Sequence, residues 1–299
     1  MDLAESIRIG LIQTTTDKDS WNNEDINMPL SEKIRTQKEI KLAFNSFNNS
    51  LYKPHIILLP EISIPLGYME KLRKISCKTG AVIISGLDFS INKEEKTVQN
   101  LASILIPQNW PSLKPTRSSI ELKFGKAFCS NEESILFEKR RFDFIPDSSF
   151  YILNANQFGL IGVAICSDFF DIERFVLYKG LIHHMFVISY NQDINSFYYL
   201  CEAISRLVFC NVIICNTGYY GGSVVYSPFR SSYRRTIYKH EGSGLFTSQI
   251  VELPVKILDD AQLGNNNNIF KSLPPGYEKK TFSKMQSNFN NRKTVKITL

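Results

Sequence analysis

The feature that most constrains this chain is a repeated alternation between short, unbroken apolar runs and segments with helical spacing. Residues 7–13 (IRIGLIQ), 55–59 (HIILL), 81–88 (AVIISGLD) and 101–106 are compact apolar runs of strand length. Residues 158–166 (FGLIGVAIC), 185–190 and 211–216 (NVIICN) repeat the pattern later. Between them, residues 30–47 carry Ile34, Ile40, Leu42, Ala43 and Phe47 at helical spacing among lysines. Residues 68–78, 172–179 and 194–209 also read as helices. Strands that are apolar on both faces must be covered on both faces, which predicts an α/β protein with helices packed over its sheets. Pro60, directly after HIILL, predicts the end of that strand.

At 299 residues, the chain suits one large domain or two small ones, and 43% hydrophobic residues supply a sizeable core. The opening MDLAESIRIG lacks a basic start and a long apolar stretch, so no secretory signal is predicted. No apolar run approaches the roughly 20 residues of a membrane span, and a cytoplasmic protein is expected. Six cysteines without a CxxC pair predict reduced thiols rather than a disulfide framework or a zinc site. The net charge of +6 is concentrated at the end. Residues 261–299 hold seven lysines and arginines against one acid, Glu278. That segment, with its asparagine run at 265–268 and Pro274-Pro275-Gly276, is polar in texture. We therefore expect a domain over residues 1–258 and a basic loop or tail over 259–299. Such a tail is where a nucleic-acid or protein partner would be contacted, although runs of this kind are more often simply solvated.

Three chemically capable side chains sit beside buried strands. Glu61 follows HIILLP, Lys126 closes Glu121-Leu-Lys-Phe-Gly-Lys126, and Cys166 ends FGLIGVAIC. The carboxyl ends of strands are where α/β sheets build sites. A thiol needs a base to take its proton, and an ammonium can hold the oxyanion that forms when sulfur attacks a carbonyl. Each residue alone has an ordinary reading: a loop acid, a surface lysine, a core cysteine. Asp168 alone would be a helix cap. His183 or His184 could in principle serve Cys166 as a papain-like base, but adjacent histidines at a strand suit a structural role better. No phosphate-binding glycine loop, HExxH or Gly-x-Ser-x-Gly elbow is present, and neither a metal nor a cofactor is expected.

Taken together, the order Glu61, Lys126, Cys166 resembles the Glu-Lys-Cys arrangement of the carbon-nitrogen hydrolase (nitrilase and amidase) superfamily. LLPE at 58–61 and GVAICSD at 162–168 match the segments around that family's base and nucleophile. GLDF at 86–89, NLASILIP at 100–107, Ser189-Tyr190-Asn191, Asn216-Thr217-Gly218 and residues 221–228 (GGSVVYSP) resemble its remaining framework, so the likeness spans residues 7–255. The resemblance implies a four-layer αββα sandwich, a homodimer or larger homo-oligomer, and hydrolysis of a small amide or nitrile through a thioester on Cys166. It implies that Glu133 braces the lysine, with Glu132 nearly as good a match. Lys123 and Lys139 rival Lys126, because the family's aromatic-Lys-x-His-Leu pattern is absent here. A second expectation is a catalytically reduced interaction or oligomerisation module, of the kind joined to reverse transcriptases in bacterial defence proteins. No polymerase motif accompanies it in this sequence.

Overall fold

The structure is a computed structural model and describes residues 2–265 and 268–299. The chain runs through β1 (Ser6–Gln13), α1 (Leu30–Asn49), β2 (Ile56–Ile64), α2 (Met69–Thr79), β3 (Val82–Leu87), β4 (Ser90–Asn92), β5 (Thr97–Gln99), β6 (Leu101–Pro107) and β7 (Ser119–Gly125). It continues with α3 (Asn131–Arg140), β8 (Asp143–Phe144), β9 (Phe150–Asn154), β10 (Leu160–Ile165), α4 (Ile172–Tyr178), β11 (His184–Ser189), α5 (Ile194–Ile204) and β12 (Asn211–Asn216). Then come β13 (Val224–Tyr226), α6 (Ser232–Arg235), β14 (Thr236–Lys239), β15 (Thr247–Pro254), α7 (Lys256–Gln262), β16 (Asn288–Phe289) and β17 (Arg292–Thr298).

These strands form a six-stranded sheet in the order β15-β1-β2-β3-β6-β7 and an eight-stranded sheet in the order β14-β13-β12-β11-β10-β9-β17-β16. A small third sheet joins β4, β5 and β8. The central strands of both large sheets are parallel: β1, β2 and β3 in one, β10, β11 and β12 in the other. The alternation of side chains along β2 shows how the layers stack. Ile56 and Leu58 enter the core between the sheets with Val163, Phe186 and Ile213, while Ile57 and Leu59 pack outward with Ile40, Phe44 and Leu72 of α1 and α2. On the far side, Tyr178 of α4 and Phe197 and Cys201 of α5 join the central core. The result is the expected αββα sandwich.

Two expectations need correction. The strand expected to stop at Pro60 runs on to Ile64, and its pairing with β3 is interrupted between Leu59 and Ile64. Proline has no N–H for the ladder, so the strand tolerates it at an irregularity. The bulge includes Ile62 at φ 43°. It also lies so close to β3 that a Cβ on Gly86 would sit 2.3 Å from the Glu61 Cα. Second, the segment expected to be loop or tail supplies β16 and β17, and β17 pairs in parallel with β9 inside the large sheet. Its charges are used: Lys279 Nζ donates to Asp259 at 2.7 Å, Lys280 Nζ to the carbonyls of Val176 and Leu177, and Arg292 to Asp171 at 2.6 Å. Asn266 and Asn267 of the asparagine run lie outside the described residues.

Candidate active site

The bulge in β2 turns Glu61 into the space at the carboxyl ends of the strands, where it is buried. Lys126 follows directly on β7 and is also buried, with its ammonium 2.8 Å from Glu61 Oε1 and 2.6 Å from Glu133 Oε2. Glu133 is fixed by its place in α3. Ser130 and Glu133 form a reciprocal capping box, so the carboxylate that holds Lys126 also accepts the Ser130 N–H at 2.7 Å. Asn100, just before β6, closes the network by donating its amide to Glu61 Oε1 at 2.8 Å and Glu133 Oε1 at 2.7 Å. The backbone N–H of Tyr190 donates to Glu61 Oε2 at 2.9 Å.

Burial alone would pull the Lys126 ammonium down, but Glu133 and Glu61 outweigh it and hold its pKa well above the ordinary lysine range. Burial likewise pushes Glu133 up, and Lys126 overcomes this so that the carboxyl ends up below its usual range. These charges are buried and mutually dependent.

Cys166 opens a tight helical turn at the end of β10, with φ at 45°. For a non-glycine residue this left-handed conformation is costly, and such strain concentrates at functional sites. Burial first, then the negative charge of Glu61, pushes the thiol well above its ordinary pKa, although Lys126 and the Tyr190 N–H oppose them. The resting sulfur is therefore protonated, so its proton must leave as it attacks.

The turn is clamped from behind. Asp168 is buried and accepts the backbone N–H groups of Ala127 at 3.1 Å and Phe128 at 3.0 Å, while Ser167 Oγ donates to the Phe128 carbonyl at 2.6 Å. The lysine-bearing segment and the cysteine-bearing turn are thus held as one unit. Asp168, buried but opposed by Arg174, titrates at about 6. Helix α4 is capped instead by Asp171, which accepts the Glu173 N–H at 3.1 Å. Arg292 of β17 pairs with Asp171 and lies 3.8 Å over the Phe150 ring, tying the last strand to the same turn.

Glu61, Lys126, Glu133 and Cys166 all line one cavity of about 620 Å³. The rival lysines lie elsewhere: Lys123 pairs with Glu121 on β7, and Lys139 is in the last turn of α3. Glu132 is in the cavity wall but bonds to Gln192 rather than to Lys126. The histidines serve the scaffold. His183 accepts the Leu160 N–H and meets Asp259, and His184 meets the Phe158 carbonyl and Asn211. Among the described residues, no group of three His, Cys, Asp or Glu side chains is placed to hold a metal ion. Sequence reasoning missed Asn100, Arg292 and the clamping part played by Asp168. The Ser130-x-x-Glu133 capping pattern was a usable signal favouring Glu133 over Glu132.

Two packed sheets with helices outside them are the fold seen in nitrilase-superfamily structures. The likeness to individual solved proteins is broad and shallow in sequence. An amidase from Nesterenkonia sp. AN1, with the acetamide moiety of fluoroacetamide added covalently at its active-site cysteine, superposes with a TM-score of 0.61 at 15% identity, covering 89% of this chain and 99% of that one. Nit3 of Saccharomyces cerevisiae, a member of branch 10 of the nitrilase superfamily, gives 0.60 at 14% identity over 88% and 95%. XC1258 of Xanthomonas campestris, a CN-hydrolase superfamily protein with an arsenic adduct in its active site, gives 0.59 at 12% over 90% and 100%. By sequence, the chain matches no protein-family model and no curated protein.

Proposed function

We propose that this chain is a divergent carbon-nitrogen hydrolase that cleaves a small amide, or a nitrile, through a thioester on Cys166. The observation that carries the reading is the position of the strained Cys166 in one cavity with Glu61 and with Lys126, whose charge is fixed by two buried carboxylates.

With an amide, Glu61 takes the thiol proton as the Cys166 sulfur bonds to the carbonyl carbon. Among the described residues, Oε2 of Glu61 accepts the Tyr190 N–H alone, which leaves it a lone pair for this proton. The displaced C=O electron pair becomes an oxyanion held by the Lys126 ammonium and the Ser167 N–H. As the oxyanion collapses, the C–N bond breaks and the nitrogen leaves with the proton from Glu61, giving a thioester. Glu61 then takes a proton from water as its oxygen attacks. The C–S bond breaks, the acid departs and the sulfur regains a proton.

The test is intact-mass measurement after exposure to a panel of primary amides, nitriles and fluoroacetamide. An adduct is expected on the wild-type protein and none on Cys166→Ala, whose melting temperature should stay close to that of the parent. Modification of the Cys166→Ala protein to the same extent would refute the assignment.

Self-association is a second element of the reading. Ile172 and Val176 of α4 and Tyr199 of α5 are exposed apolar side chains on the outer layer, with Ile172 at 75% and Tyr199 at 76% exposure. Sedimentation of the wild type against Ile172→Glu tests whether that layer pairs two copies.

A further inference from the structure

The cavity has a charge character unlike that of the molecule around it. The protein carries a net charge of +6, yet the cavity is lined by the acids Glu61, Glu132, Glu133 and Asp193 against only Lys18 and Lys126. At the floor, Lys126 is already shared between Glu61 and Glu133, so that group keeps one negative charge in excess. Glu132 and Asp193 are exposed at the mouth, where Lys18 is flanked in sequence by Asp17 and Asp19. Between floor and mouth the wall is aromatic. Trp21, Tyr190 and Tyr220 stand edge to face, with Trp21 and Tyr190 centroids 5.3 Å apart and Tyr190 and Tyr220 5.5 Å apart. Phe170 and Phe197 line the same cavity, at 5.6 Å from each other. The acids reach this wall: Glu132, Asp17 and Asp19 add to burial and to Tyr219 in pushing the Tyr220 phenol up.

From the aromatic wall, the acidic mouth and the negative floor, we infer that the substrate is an amide carrying an ammonium or guanidinium group on the part that projects toward the mouth. Aromatic faces attract such cations when water is partly excluded, and the surplus carboxylates add a field that draws a cation in and turns an anion away. An acyl group ending in a carboxylate would meet like charge at both ends of the cavity. This specificity rests on the hydrolase reading above only for the chemistry of the scissile bond.

The experiment uses the full chain and three primary amides of one chain length: ω-ammonium, neutral and ω-carboxylate. The expected order of kcat/KM is cationic, neutral, anionic, with about tenfold between the ends or more, and raised salt should compress the series. Glu132→Gln combined with Asp193→Asn should lower kcat/KM for the cationic amide several-fold and raise it for the anionic one. The asparagine preserves the cap that Asp193 provides to α5. Binding of the same three amides to Cys166→Ala, measured by calorimetry, separates the two claims. Turnover of the neutral amide with no charge preference, or with preference for the anion, overturns this inference and leaves the hydrolase reading standing. Binding ordered by charge, with no covalent adduct on the wild type, does the reverse. Absence of both binding and turnover for all three overturns both.

Discussion

Lys126 is the residue on which the site's electrostatics turn, because two buried carboxylates depend on its one charge. Lys126→Met keeps the length of the side chain and removes the charge, leaving Glu61 and Glu133 facing each other without a cation. The expected loss of stability is about 3–5 kcal/mol, read from urea unfolding, with adduct formation at Cys166 abolished. Adding Glu133→Gln should recover part of the stability but none of the reactivity, since charge repulsion falls while the cavity still lacks the Lys126 ammonium. Asn100 acts differently, through both carboxylates at once. Asn100→Ala should cost about 1–3 kcal/mol and slow adduct formation at least tenfold, because each buried carboxylate loses a donor. The sequence showed Glu61 and Cys166 clearly, because each follows an apolar strand and has a distinctive flank. Lys126 was less legible because its flanks depart from the expected pattern, and Asn100 was legible only as the head of a strand. What it bonds is decided by residues 39 and 33 positions away, which no local pattern encodes.

At the scale of elements, the parallel strands were the easy ones to read. Buried on both faces, β2, β3, β10, β11 and β12 are written as unbroken apolar runs. β7 and β17 were hidden because their sequences, SIELKFG and RKTVKIT, carry charges on exposed positions and present few buried side chains. Misreading β17 hides a contact near the candidate site, since Arg292 holds Asp171, which caps α4 directly after the Cys166 turn. Arg292→Ala is expected to lower stability by about 1–3 kcal/mol and to reduce the rate of adduct formation several-fold, measured by unfolding and by time-resolved mass spectrometry. Truncation after Leu258 should give a protein without a cooperative unfolding transition. A β9 stripped of its parallel neighbour becomes an edge strand with apolar surface and unpaired backbone exposed.

For the whole molecule, acid stability is a contest between buried groups of opposite sign. Burial, reinforced by the Arg8 charge, lowers His55 to about 4, and burial with the neighbouring His183 lowers His184 to about 3. Below the ordinary histidine range the unfolded chain takes up protons that the folded one refuses, so these two groups subtract stability as pH falls from about 6.5 toward 4. Asp168 works the other way. Its folded value of about 6 exceeds the ordinary aspartate value, so its contribution grows as pH drops through that window. His183, lowered by burial, acts with the two histidines, and Glu39 and Asp88, raised by burial, act with Asp168. With His55 and His184 both displaced further than Asp168, a loss of stability is expected between pH 7 and pH 4.5. Urea midpoints across that range check the sign, and an unchanged or rising midpoint on acidification would contradict it.

The seating of β17 beside β9 also sets a timetable. Its residues pair with partners made some 144 positions earlier, as in Thr294 with Phe150, so the large sheet cannot close before residues 292–298 have left the ribosome. Glu61, Lys126 and Cys166 all exist long before Arg292 is added. A nascent chain that has passed residue 166 therefore carries all three groups and still lacks the support that Arg292 gives, through Asp171, to the turn after Cys166. Reactivity at Cys166 should switch on only after β17 has docked beside β9.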